Sequence, residues 1–239
     1  MLTLLKNEQF DSHTALTQSF LKYAKLLAQR NFICNTFGNI ALKQYHPQFE
    51  TTVIYTKHRG ISLEEIDETN IVVMDMETDQ LLSGSVLPSI GHQMNREIFK
   101  WRQDIKAVIH LHPDEVLSYY AILHSEGYSY ISNDTALVMQ KPIKILPPDI
   151  NIEIDLSSIK DFIMDTNCII MPQHGITVLG ESLSEAYHRA CSIVAETRRL
   201  LFARILSQQT GIVMPYVSEN EVNHMYKIGR EAIYGKSEL

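Results

Sequence analysis

Ile105-Lys106-Ala107-Val108-Ile109-His110-Leu111-His112-Pro113 is the stretch on which the reading turns. It is a buried-type strand over Ile105–His112, stopped by Pro113, which cannot continue a central ladder. On a strand, residues two apart point to one face. Ile105, Ala107, Ile109 and Leu111 then share an apolar face, and His110 and His112 share the other. Their Cα atoms would stand ~6.6 Å apart, from the strand rise. Two imidazoles at that spacing can lean together onto one ion at ~2.0–2.1 Å. A satisfied pair of strand histidines is the bland alternative.

His174 is the natural third ligand. It lies in the turn Pro172-Gln173-His174-Gly175, between the apolar strand runs Cys168–Met171 and Ile176–Leu179. Three His ligands leave one position open, which is the arrangement of catalytic rather than structural zinc. The expected cofactor is a divalent metal, Zn2+ first, with Mn2+, Fe2+ or Co2+ as substitutes.

Outward from these runs, a helix is expected over about Asp11–Arg30, with Leu16, Phe20, Tyr23, Ala24 and Leu27 at helical spacing. Asn31–Gly38 is a connection. Strand signals follow at Ile40–Leu42, Thr52–Thr56 and Asn70–Asp75. After Pro88-Ser89 comes a helix with the stripe Ile90, Met94, Ile98 and Trp101. Another follows Pro113 to about Leu123. Ser182-Leu-Ser-Glu185 reads as a capping box opening a helix to about Leu206, with Leu183, Tyr187, Ala190, Val194, Leu201 and Ile205 inward. Ser218-Glu-Asn-Glu221 opens a C-terminal helix. Short strands mixed with helices indicate an α/β or α+β sandwich. With no linker-like run or repeat, residues 1–239 read as one domain, a core of about 11–206 and a helical segment 207–239.

Composition narrows the function. Of 239 residues, 45% are hydrophobic and 21% charged, which is ordinary globular usage. The net charge of −7 and a single short basic cluster, Lys57-His58-Arg59, speak against nucleic acid. No apolar run reaches the ~18–20 residues that span a bilayer. The N-terminus does not read as a signal peptide. Cys34, Cys168 and Cys191 are too few and too scattered for a disulfide framework. The expectation is a reduced, cytoplasmic protein.

His110-Leu-His112 after an apolar strand, together with Gln173-His174-Gly175-Ile-Thr-Val-Leu-Gly180-Glu-Ser-Leu-Ser-Glu-Ala-Tyr187, resembles the class II aldolase/adducin family. Gly38-Asn39-Ile40 is similar to its early Gly-Asn-Ile-Ser motif, Thr56–Gly60 to its Thr-Pro-Ser-Gly phosphate loop, Asp75 to the aspartate of its third strand, and Pro88-Ser89 to the start of its Pro-Ser-Ser-Glu motif. The resemblance runs from about Ala15 to Ile205. It implies a three-layer α/β/α sandwich with a central, mainly antiparallel sheet, and a homotetramer with shared sites. It implies a metal on His110, His112 and His174, and a small anionic sugar-like substrate held by Asn39, His58, Arg59, Gly60 and Ser89. The activity implied is that of a metal-dependent lyase of the aldolase type, with decarboxylase, dehydratase, epimerase or non-catalytic adducin-like roles as alternatives.

Four departures bear on the chemistry. Gly91 stands where the family has an acidic residue, Ile90 and Ala41 replace serines, and Arg59 replaces another. Cleavage of a carbon–carbon bond needs a base for a hydroxyl proton. Glu97, Asp114 and Glu115 are near in sequence but read better as helix-surface and first-turn charges. His92, next to Gly91, is the candidate to fill the vacant position; a surface histidine is the alternative. His58 and Arg59 read either as an anion grip or as a solvated basic turn. Tyr226 and Tyr234 are candidates for the tyrosine acid that the family draws from its C-terminal segment; helix packing is the alternative for both.

Overall fold

The computed structural model describes residues 2–32, 35–123, 127–150, 152 and 154–235, with side chains from residue 14 onward. Cys34 and His124 lie outside the described residues, as does the side chain of His13. The elements are α1 (Leu2–Gln29), β1 (Asn39–His46), β2 (Thr51–Lys57), β3 (Ile71–Asp75), β4 (Leu81–Ser83), α2 (His92–Trp101), β5 (Ala107–Leu111), α3 (Asp114–Leu123), α4 (Asn133–Met139), β6 (Lys144–Ile145), α5 (Lys160–Met164), β7 (Cys168–Met171), β8 (Gly175–Gly180), α6 (Leu183–Thr210) and α7 (Glu219–Tyr234). The fold is mixed α/β, with the strands in the order β4-β3-β2-β1-β5-β8-β7-β6. Only β6 with β7 is parallel among the strand pairs described below.

Two compact units emerge from the packing: residues 1–111 with 179–186, and residues 112–178 with 187–239. In the first, β4, β3, β2, β1 and β5 form a continuous antiparallel ladder. Its registers include Leu42 opposite Tyr55, Ile54 opposite Met74, and Asn39 opposite His110. All five residues of β3 and all five of β5 are buried, so both faces of these strands are covered. This explains why neither shows a clean polar–apolar alternation. Phe20, Ala24 and Leu27 of α1 are fully buried at helical spacing. In α2, Met94 and Ile98 are buried as the stripe predicts, but Ile90 is 73% exposed. The helix begins only at His92, so Ile90 sits in the preceding turn and its direction is not set by helical periodicity.

In the second unit, β7 and β8 form a hairpin with Met171 opposite Gly175. The turn needs a left-handed residue, supplied by Gln173 at φ 63°. Helices α4 and α7 pack so closely that a Cβ on Gly229 would collide with the Leu137 carbonyl. Ser218 caps α7 by accepting from Glu221 N at 3.3 Å, but the Glu221 carboxylate turns away to accept from Asn133 Nδ2 at 2.8 Å. The box at Ser182 is likewise half formed: Ser182 Oγ accepts from Glu185 N, while the Glu185 carboxylate accepts from Glu181 N. α6 runs to Thr210, beyond the expected end, and its inward face stops at Leu200. Ile205, expected inward, is 44% exposed, and Phe202 and Leu206 nearby are exposed too. Cys168 is buried and Cys191 half-buried. No helix among the described residues is long and apolar enough to cross a membrane.

Candidate metal centre

His110 is the fourth residue of β5, and His112 follows the strand's end. His174 stands at the tip of the β7–β8 turn, its N–H donating to the Met171 carbonyl at 3.0 Å. One nitrogen from each ring lies within 4.8 Å of the others. The rings of His112 and His174 are tilted at 38° with centroids 5.2 Å apart. His110 is buried and the other two are half-buried. Burial, and then the adjacent His174, push the His112 imidazole down to about 4. It is therefore neutral at pH 7 with a lone pair to give. Bonds of ~2.0–2.1 Å to one tetrahedral ion need nitrogens ~3.4 Å apart, so small ring adjustments would close the triad. The donor set fits a borderline divalent metal with an open position.

Asn39 opens β1 directly opposite His110. Opposed residues of an antiparallel pair share a face, with Cβ atoms ~4.5–5.5 Å apart. Its Oδ1 accepts from Asn95 Nδ2 at 2.7 Å, in a fully buried contact from α2. Gly91, the N-cap of α2, faces this amide; a Cβ there would fall on Asn39 Nδ2. The position that resembles the family's acid is thus filled from the side by an amide.

His92 points elsewhere. It is 2% exposed, and its Nε2 lies 2.9 Å from Asp79 Oδ1. Gln93 Nε2 donates to Oδ2 at 2.5 Å, and Arg96 Nε lies 3.8 Å from Oδ1. Although desolvation opposes it, the net effect of Gln93, His92 and Arg96 is to lower the Asp79 pKa. Burial lowers that of His92, against the pull of Asp79. Asp75 tops β3, where its Oδ1 accepts from Glu77 N and Thr78 N. It therefore shapes the turn that carries Asp79.

The loop after β2 is pinned to its neighbour. Arg59 N donates to Leu87 O, and Ser89 N to Lys57 O. His58 uses both ring nitrogens, Nδ1 at 2.8 Å from Arg59 O and Nε2 at 3.0 Å from Asn70 Nδ2. The Asn70 amide donates to Nε2, and Nδ1 faces the Arg59 carbonyl. Arg59 and Gly60 are exposed, and Ser89 is buried. Lys57, which the sequence shows only as part of a short basic cluster, is 1% exposed, and its Nζ donates to Thr36 O and Ile61 O. Burial pushes its pKa down to about 8.

Within the second unit, the Tyr226 hydroxyl lies 2.9 Å from that of Tyr130, and burial raises its pKa. Tyr234 is exposed. An open cavity of about 270 Å³ lies beside His174, walled by Leu146, Pro147, Ile150, Ile152 and Met171. Sequence reading missed this wall, along with Asn95 and Asp79, because nothing local marks any of them.

Residues 18–198 match the family model described as class II aldolase and adducin N-terminal domain. Among curated relatives, an L-fuculose phosphate aldolase of Methanococcus maripaludis is 24% identical over 169 residues, covering 70% of this chain and 86% of the relative. A probable L-ribulose-5-phosphate 4-epimerase, UlaF, of Mycoplasma pneumoniae is 20% identical over 224 residues, covering 88% and 90%. Two solved structures share the fold. An L-fuculose 1-phosphate aldolase superposes with a TM-score of 0.72 at 20% identity, covering 88% of this chain and 94% of that one. YgbL of Escherichia coli, described as a putative aldolase/epimerase/decarboxylase, gives 0.71 at 18% identity, covering 89% and 98%.

Proposed function

The chain belongs to the class II aldolase and adducin family, and from that premise we propose that it is a metal-dependent lyase of the aldolase type, acting on a small sugar-phosphate or related hydroxy-carbonyl substrate. The observation that carries the reading is the convergence of His110, His112 and His174. A divalent ion there, Zn2+ by first preference, would polarise a substrate carbonyl. Asn39 would hold a substrate oxygen beside His110. Arg59, Gly60 and Ser89 would hold the anionic end, with His58 bracing the loop through its two ring hydrogen bonds. Tyr226, a protonated phenol at neutral pH, is the candidate proton donor. His92 takes a supporting part here, because its Nε2 is committed to Asp79. A cytoplasmic homotetramer is the accompanying assembly, with exposed Phe202 and Leu206 suited to burial between copies.

A second reading rests on Gly91. With no carboxylate at that position, a superfamily reaction that needs no base there, such as decarboxylation, fits the same centre. The test is elemental analysis of the purified protein, followed by a screen of ketose phosphates and carboxylated sugar acids. Metal at about one ion per chain, with aldehyde released from a ketose phosphate, is the result expected. A protein that holds no divalent metal overturns the proposal; carbon dioxide release without aldehyde selects the second reading.

A further inference from the structure

Three segments of the first unit meet on one buried residue. Lys57 ends β2, and its Nζ donates to the Thr36 carbonyl at 2.6 Å and to the Ile61 carbonyl at 2.5 Å. Thr36 lies in the stretch that leads into Asn39. Two residues on, Gly38 at φ 81° lies so close to the His110 carbonyl that a Cβ would approach it to 2.9 Å. Ile61 follows Arg59 and Gly60. The Lys57 carbonyl accepts from Ser89 N, at the head of the turn into α2. Asn39, Arg59, Gly60 and Ser89 thus all sit on segments tied to Lys57.

Both acceptors of the ammonium are neutral carbonyls. Among the described residues no carboxylate, imidazole or second cation acts on Nζ, whether from β2, from β3 paired beside it or from either loop. Burial alone moves its pKa to about 8 from the ordinary 10.5. Between those values the unfolded chain binds more protons than the fold, so this group adds stability as pH rises from 8 toward 10.5. The fold would gain from an uncharged side chain here, so stability does not explain the charge. We propose that Lys57 is a positioning residue: its ammonium braces the segment leading into Asn39 against the segment following Gly60, and so sets the spacing between the two ends of the substrate site. This rests on the function reading above. Lys57 acts through the two carbonyls and touches no substrate atom. An ammonium makes charge-assisted bonds to both carbonyls; the neutral amine is the weaker donor.

The test measures amide exchange and sulfate affinity on the metal-loaded protein. Sulfate is the probe because its charge does not change across mild alkali. Lys57→Met keeps an unbranched stem and removes the donors. It should lose roughly tenfold in protection at the Arg59 and Ser89 amides and bind sulfate roughly tenfold more weakly, with a melting temperature at or above that of wild type. In wild type, protection (corrected for intrinsic exchange) and affinity should fall roughly tenfold from pH 7 to about 9.5, as the braced fraction falls. In Lys57→Met both should stay level. Wild-type protection in the variant overturns the brace, as does a wild type that stays level across that interval, and the second result decides even if the variant fails to fold. A fall in melting temperature that tracks the loss of binding makes Lys57 a support of the fold and overturns the positioning role. A wild type that ignores sulfate fails the function reading, while the exchange arm needs no ligand and decides the brace by itself.

Discussion

Nε2 of His92 lies 2.9 Å from Oδ1 of Asp79, and the two tie the start of α2 to the turn after β3. The contact fixes the ring's proton on Nε2 and leaves Nδ1 buried. A group so held is an anchor rather than a mobile base. His92→Ala should cost about 2–3 kcal/mol of stability, the range for losing a buried hydrogen bond to a charged group. Urea unfolding measures this, with metal content as the control. Loss of metal at unchanged stability would instead return His92 to the centre.

Restoring the family's acid should not restore its chemistry. The Cβ of a Gly91→Glu side chain would land on Asn39 Nδ2, and Asn39 is locked by Asn95. Overpacking at such a site costs about 1–3 kcal/mol. The expected outcome is a lower melting temperature and no gain in lyase turnover. A variant with wild-type stability and faster cleavage of ketose phosphates would show that the pocket yields and that the position does face the metal.

Removing a ligand should empty the centre. His112→Ala or His174→Ala should weaken metal binding by roughly 100-fold or more, beyond the effect usual for outer-shell changes. The chelated protein should also lose stability in acid. The His112 pKa, near 4 in the fold, is below its ordinary 6.5, so the unfolded chain binds more protons between those values. The stabilising contribution is complete above about 6.5 and is lost as pH falls toward 4. Thermal melts of the metal-free protein across that window should drop, and His112→Asn should flatten the slope. A metal-free protein whose melting point is constant from pH 7 to 4 would contradict this.

The parts of this centre that local chemistry dictates were legible in the sequence. The apolar run that makes β5 carries His110 and leads to His112 just past its end, and the Gln173–Gly175 turn gives His174 its place. Where an outcome depended on the starting point of a helix, reading failed: Ile90 points to solvent because α2 begins two residues later. Partners far apart in sequence were invisible. Asp79 meets His92 from the other side of β4, and Asn95 meets Asn39 across 56 positions. The short elements β4, β6, α4 and α5, of three, two, seven and five residues, carry too little periodicity to register.

Glu196 is the sharpest remaining test of the second unit. Its side chain is fully buried in α6, and it gathers donors from the start of α4: Ile131 N at 2.6 Å, Ser132 N at 2.9 Å, Ser132 Oγ at 2.6 Å and Thr135 Oγ1 at 3.3 Å. Arg199 Nη1 approaches at 3.1 Å as the balancing charge. A buried carboxylate is tolerated only when its oxygens are so occupied. The short helix α4 has no side-chain cap of its own, so Glu196 anchors its entry from outside. Glu196→Gln replaces one acceptor oxygen by an amide that must face donors. The expected loss is about 2–4 kcal/mol, since breaking a buried charged network leaves unpaired groups behind. Hydrogen exchange should show it first at residues 131–139, ahead of the strands of the first unit. Unchanged stability in Glu196→Gln, with unchanged protection of those amides, would mean that α4 is held by its packing on α7 alone.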